Sequence, residues 1–124
     1  MRKIFVILAA ALIAVLLSSC NKDDNYGYPA KVSFTAEGGV LYVYGQKHIH
    51  FLSIADYDGK EWHDETPQDS PTLSASHDWL TAVYDSSAKK ITITAAANLS
   101  GEKRTLYVRG SVKDSVADIK VEQN

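Results

Sequence analysis

From Lys31 onward, β-branched and aromatic residues alternate with polar ones in short runs, and nowhere do apolar residues recur at helical spacing for three turns. Successive side chains of a strand point to opposite faces, so each run buries one face and needs a second sheet to bury it against. KVSFTA, VLYVYG, IHFLSIADY, WLTAVYD, KKITITAA, RTLYVRGSV and ADIKVEQN each read as a strand. Gly38-Gly39 breaks the first two runs, Asp58-Gly59 suits a hairpin turn, and Asn98-Leu99-Ser100-Gly101 separates two later ones. The polar stretch from Lys60 to His77, with Pro67 and Pro71, is the least strand-like. About seven short strands predict an all-β fold, an antiparallel β-sandwich. Residues two apart share a face, which places Leu41 and Val43, Ile91 and Ile93, Leu106 and Val108, and Ile119 and Val121 in the core. Trp79 is expected there too, because HDWLTAVYD offers few better candidates for its strand.

The chain begins differently. Arg2 and Lys3 form a positive head, Ile4 to Leu17 is continuously apolar, and Ser18, Ser19 and Cys20 follow, the three-part layout of a secretory signal. Fourteen apolar residues fall short of the roughly 20 that a spanning helix needs, so the segment reads as removable. LSSC resembles the lipobox of bacterial lipoproteins, in which the cysteine is acylated and becomes the new N-terminus. That resemblance makes Cys20 a lipid anchor rather than a nucleophile, with the membrane as partner; several acyl chains hold stably where one holds only marginally. Cys20 is the one cysteine, so the remaining chain has no thiol for a disulfide or a cysteine-based zinc site. Asn21 suits outer-membrane delivery, and Lys22, Asp23 and Asp24 resemble the export signal that sends many Bacteroidetes lipoproteins to the cell surface. The expected division is a signal peptide over 1–19, a lipidated tether over 20–30 and one domain over 31–124.

Loss of Arg2 and Lys3 with the signal would move the net charge from −2 to −4. Phosphate binding wants clustered Lys and Arg, so nucleic acid is not an expected partner. Catalysis has little support: a glycosidase needs two carboxylates at a defined separation across a cleft, no serine sits in a nucleophile elbow, and no phosphate-cradling glycine loop is present. No cofactor is expected, and the chain reads as a non-enzyme.

FTAEGGVLYV, HDWLTA, ITITAAANLSGEKRTLYVRG and the terminal IKVEQ together resemble the BACON domain, an immunoglobulin-like module of Bacteroidetes proteins. The matching residues are Gly38, Gly39, Trp79, Leu80, Asn98, Arg104, Val121 and Gln123, and the resemblance covers nearly all of 31–124. Between Tyr44 and His77 the chain is longer than that pattern. Asn98 and Arg104 flank a turn, which makes them turn and packing determinants first.

If Leu41, Val43, Leu106 and Val108 face inward, then Tyr42, Tyr44 and Tyr107 face out, and Trp62 sits in a polar stretch with Tyr57 nearby. Exposed rings stack on the apolar face of a pyranose while Asp, Asn or Gln bond its hydroxyls, which makes these five residues candidate glycan-binding positions. The resemblance implies the same. Cross-strand aromatic pairs also stabilise sheets by themselves, and that alternative stays open. His48 and His50 project from one face, and His63 with Asp64, or His77 with Asp78, could complete a zinc or copper shell. No known metal signature has this spacing, so no metal site is assigned. Asp114-Ser115-Val116 matches the short acceptor of Bacteroidetes O-glycosylation at Ser115. The expected function is that of an outer-membrane, surface-displayed, non-catalytic binding module for glycans or mucin. The alternative is a structural spacer or accessory protein-interaction subunit of an outer-membrane assembly.

Overall fold

The computed structural model describes residues 25–64 and 66–124. The signal segment, Cys20 and Lys22 to Asp24 lie outside the described residues. Nine strands follow: β1 (Lys31–Phe34), β2 (Gly39–Tyr44), β3 (Phe51–Ala55), β4 (Glu61–Trp62), β5 (Thr72–His77), β6 (Leu80–Asp85), β7 (Lys90–Ala95), β8 (Arg104–Val112) and β9 (Ser115–Gln123). A five-stranded sheet in the order β1-β9-β8-β3-β4 packs on a four-stranded sheet in the order β2-β7-β6-β5, and no α-helix occurs among the described residues. The fold is an all-β sandwich, as the alternation predicts.

The layers meet where the alternation sends its apolar residues. Val32 and Phe34 of β1, Leu41 and Val43 of β2, Ile91 and Ile93 of β7, Leu106 and Val108 of β8, and Ile119 and Val121 of β9 are all buried in one core. Each such side chain contributes roughly 1.5 to 3 kcal/mol on leaving water. The chain passes from the first sheet to the second at Gly38, whose φ of +80° favours glycine and whose added Cβ would lie 2.4 Å from the Ala95 carbonyl oxygen. Only glycine tolerates that approach.

Four expectations change. All pairs are antiparallel except β1 with β9, which run parallel with Lys31 opposite Lys120 and Phe34 opposite Gln123. Two strands come from the polar stretch: β4 is held against β3 through Ile54 and Trp62, and β5 against β6 through Leu73 and Tyr84. Their inward signal is weak because β5 reads TLSASH, with small residues where larger apolar ones mark other strands. Trp79 is not a core ring. It lies in the two-residue turn Asp78-Trp79 between His77 and Leu80, and the inward positions of β6 belong to the opposite phase, to Leu80, Ala82 and Tyr84. Trp79 instead packs half-buried against the core edge, with the Arg104 guanidinium 4.7 Å from its ring. Finally, Asn25 to Ala30 is part of the folded body rather than free tether. Tyr28 is fully buried, donates its hydroxyl to the Lys47 carbonyl at 2.9 Å, and lies where a Cβ on Gly45 would meet its ring at 2.1 Å.

One end of the sandwich is closed by buried polar side chains. Gln123 donates to the Thr35 and Ala96 carbonyls at 3.0 and 2.8 Å and accepts from Arg104 Nε at 2.8 Å. Asn98 donates to the Glu102 and Asn124 carbonyls at 2.7 and 3.1 Å and accepts from the Ser100 amide at 3.1 Å. These side chains tie β1, β7, β8 and β9 together, so Asn98 and Arg104 act as turn and packing determinants. Buried amides are stable only when paired in this way.

Candidate functional site

The hairpin joining β3 to β4 is a five-residue turn built on Asp56. The Asp56 amide donates to the Lys60 carbonyl, the Gly59 amide to the Asp56 carbonyl, and Asp56 Oδ1 accepts from the amides of Asp58 and Lys60 at 2.9 Å. Gly59 takes φ +88°, as the Asp-Gly signal anticipates. This tight closure leaves Tyr57 at the tip, 87% exposed. The register of β3 with β8 sets Ala55 opposite Tyr107, and that of β8 with β9 sets Arg109 opposite Asp118. All project from the outer face of the five-stranded sheet, since directly opposed residues share a face.

Together these residues line an open groove of about 210 Å³ formed by Ala55, Asp56, Tyr57, Gly59, Tyr107, Arg109 and Asp118. Its polar wall is an ion network. Arg109 Nη1 donates to Glu61 Oε2 at 2.9 Å, and Ser53 donates to Glu61 Oε1 at 3.1 Å. Arg109 Nε is buried without a hydrogen-bond partner among the described residues, since Asp118 Oδ2 stands 3.7 Å away, beyond hydrogen-bond reach. Burial pushes the Asp118 carboxyl above the ordinary aspartate range; Arg109 opposes that shift and Glu61 adds to it. The groove thus offers two aromatic rings, a guanidinium and a carboxyl group. Such a set can hold a polyhydroxylated ligand by stacking and hydrogen bonding.

Of the five aromatic candidates, the structure brings Tyr57 and Tyr107 together and separates the rest. Tyr42 and Tyr44 are exposed as expected, at 54% and 56%, but on β2 of the other sheet, so they face away from Tyr107 across both layers. Lys90 Nζ lies 5.2 Å from the Tyr42 ring. Trp62 is not presented outward. It opposes the inward-facing Ile54, and its ring stacks on His77 at 3.4 Å and 6°, closing the edge between β4 and β5. Arg109 and Asp118, absent from the sequence-based candidates, stand at outward polar positions of β8 and β9; only the strand pairing puts them beside Tyr107.

The histidines divide as well. His48 Nε2 and His50 Nδ1 both reach Asp69 Oδ1, at 3.1 and 2.5 Å. His63 does not join them. It packs 4.8 Å from Phe51 and bonds the Asp64 carbonyl, while His77 is occupied by Trp62. Ser115 is exposed at the start of β9, directly after the Lys113-Asp114 turn.

No family model matches this chain, and no curated protein matches it. Among solved structures, it is similar to an NMR structure of a protein from Bacteroides thetaiotaomicron, with a TM-score of 0.57 over 77% of this chain and 75% of that one. The two sequences are 13% identical, so the likeness concerns the fold.

Proposed function

We propose that this chain is a non-catalytic, immunoglobulin-like binding module of the BACON type, lipid-anchored through Cys20 at the outer membrane and displayed at the cell surface, with glycans or mucin chains as ligand. The observation that carries the binding reading is the convergence of Tyr57 and Tyr107 with Asp56, Arg109 and Asp118 on one open groove. A pyranose has an apolar face for a tyrosine ring and a rim of hydroxyls for charged side chains, and ligand sites combine apolar walls with a few convergent polar groups in this way.

Retention of the purified protein on a mucin column and a broad glycan array tests the reading. Tyr57→Ala and Tyr107→Ala should each abolish retention while leaving the melt nearly unchanged. Tyr42→Ala, on the opposite sheet, should leave retention intact. Absence of wild-type binding to any glycan would remove the carbohydrate reading.

The accessory-subunit reading is favoured by one separate observation. Strand β2 is an edge of the four-stranded sheet and exposes Val40, Tyr42 and Tyr44 in alternation. An apolar edge strand is a template for pairing with another chain. Loss of partner capture in Tyr42→Ala, with glycan retention preserved, would assign β2 to a protein contact.

A further inference from the structure

We infer that His48, His50 and Asp69 form a binding site for a divalent transition-metal ion of the zinc, nickel or copper class. The site lies apart from the groove, where the connection from β2 to β3 meets the connection from β4 to β5. Its three donor atoms come from two separate chain segments and all lie within 4.8 Å of one another. The alternation of the sequence makes the pair possible: Ile49 is fully buried, so His48 and His50 on either side of it turn outward together.

The backbone that carries the donors is anchored to the core. The Ile49 amide donates to the Tyr84 hydroxyl at 3.2 Å, the His50 amide to the Ser111 carbonyl at 2.9 Å, and the Lys47 carbonyl accepts from the buried Tyr28 hydroxyl at 2.9 Å. Across from them Asp69 adopts φ +63°, an uncommon conformation for a residue with a side chain, and its amide donates to the His50 carbonyl at 2.9 Å. That backbone link holds the carboxylate facing both rings. The result is one oxygen, Asp69 Oδ1, set against one nitrogen of each imidazole.

Two ligands about 2.1 Å from a tetrahedral ion stand roughly 3.4 Å apart. Asp69 Oδ1 is already 3.1 Å from His48 Nε2 and 2.5 Å from His50 Nδ1. A small outward rotation of the carboxylate makes room for the ion. The widest separation, 4.8 Å, must close by about 1.4 Å, which partly exposed rings can do by side-chain rotation. Two imidazoles and one carboxylate suit zinc, nickel and copper, and suit magnesium and calcium poorly, since those prefer an all-oxygen shell. Three protein ligands leave the remaining coordination positions to water, and the ion would fasten the two connections to each other.

Titration of the purified protein with zinc sulfate, followed by histidine side-chain NMR, tests the site. The ring resonances of His48 and His50 should shift at micromolar zinc, those of His63 and His77 should not, and the melting temperature should rise with zinc because the ion binds the folded state. Asp69→Asn and His50→Ala should each weaken binding by roughly tenfold or more, an effect of the size seen even for outer-shell losses, whereas His63→Ala should bind as wild type. Excess calcium should not displace zinc. The inference is overturned if wild-type His48 and His50 do not respond at millimolar zinc, if His63 or His77 responds in their place, or if both variants bind as tightly as wild type. The wild-type titration decides the matter even if a variant folds poorly.

Discussion

Replacing Gln123 by Ala should remove more stability than any exposed substitution in this protein, and the hydrogen bonds give the size. Gln123 is fully buried and makes three side-chain bonds, two to the carbonyls of Thr35 and Ala96 and one from the Arg104 guanidinium. Neutral hydrogen bonds contribute about 0.5 to 1.5 kcal/mol each and those to charged groups about 1.5 to 3, so the loss is about 2.5 to 6 kcal/mol. Against the roughly 5 to 15 kcal/mol of a whole domain, that is a large fraction. Gln123→Glu is the sharper variant. It keeps an acceptor for Arg104 but turns an oxygen toward two carbonyls that need a donor, so it should lose at least as much as Ala near neutral pH. Urea unfolding followed by tryptophan fluorescence measures both, with an unchanged m-value as the sign that the denatured state is not the cause. A loss below about 1 kcal/mol for Gln123→Ala would show that this end of the sandwich is not held by its amide network.

Trp79→Ala should cost only about 1 to 2 kcal/mol, below the 3 to 5 of a buried tryptophan, because the ring is half-buried and its Arg104 contact adds at most about 1 at an exposed site; chemical denaturation checks it. Glu122 is held below the ordinary glutamate range first by its hydrogen bond to Lys31 and then by Lys120, so its ionised form favours the fold above the ordinary glutamate pKa, and that benefit fades as pH falls through the lower folded value. Glu122→Gln should therefore melt below wild type at pH 7, with the difference vanishing in strong acid. Cys20→Ala should release the protein from membranes without changing the melt, since no other cysteine is present; detergent partitioning and the mass of the mature N-terminus decide it.

The core was legible because its signal is local. Leu41 with Val43, and Leu106 with Val108, announce their inward face by spacing alone, and a one-residue slip would expose every one of them. Strand β5 is faint in the sequence because Ser74, Ser76 and Ala75 carry little hydrophobic contrast, and pairing with β6 supplies what its own sequence lacks. Trp79 departs from its expected place for the converse reason. Its size argues for burial, but Asp78 takes φ +57° and puts the tryptophan in the turn.

The candidate site was half legible on the same grounds. Outward orientation of Tyr42, Tyr44 and Tyr107 follows from alternation, whereas their assignment to two different sheets is a matter of topology that spacing does not carry. Tyr57 meets Tyr107 only because β3 pairs with β8, residues far apart in the chain. Asp69 is the same kind of case, since nothing near it in sequence points to His48 and His50.

The most direct test of the binding account is backbone-amide NMR of the purified protein titrated with mucin-derived oligosaccharides. Saturable shifts are expected only at Asp56 to Gly59, Tyr107 to Arg109 and Asp118, with Val40 to Tyr44 silent. Shifts that cluster on β2, or a spectrum unchanged at millimolar oligosaccharide, would contradict it.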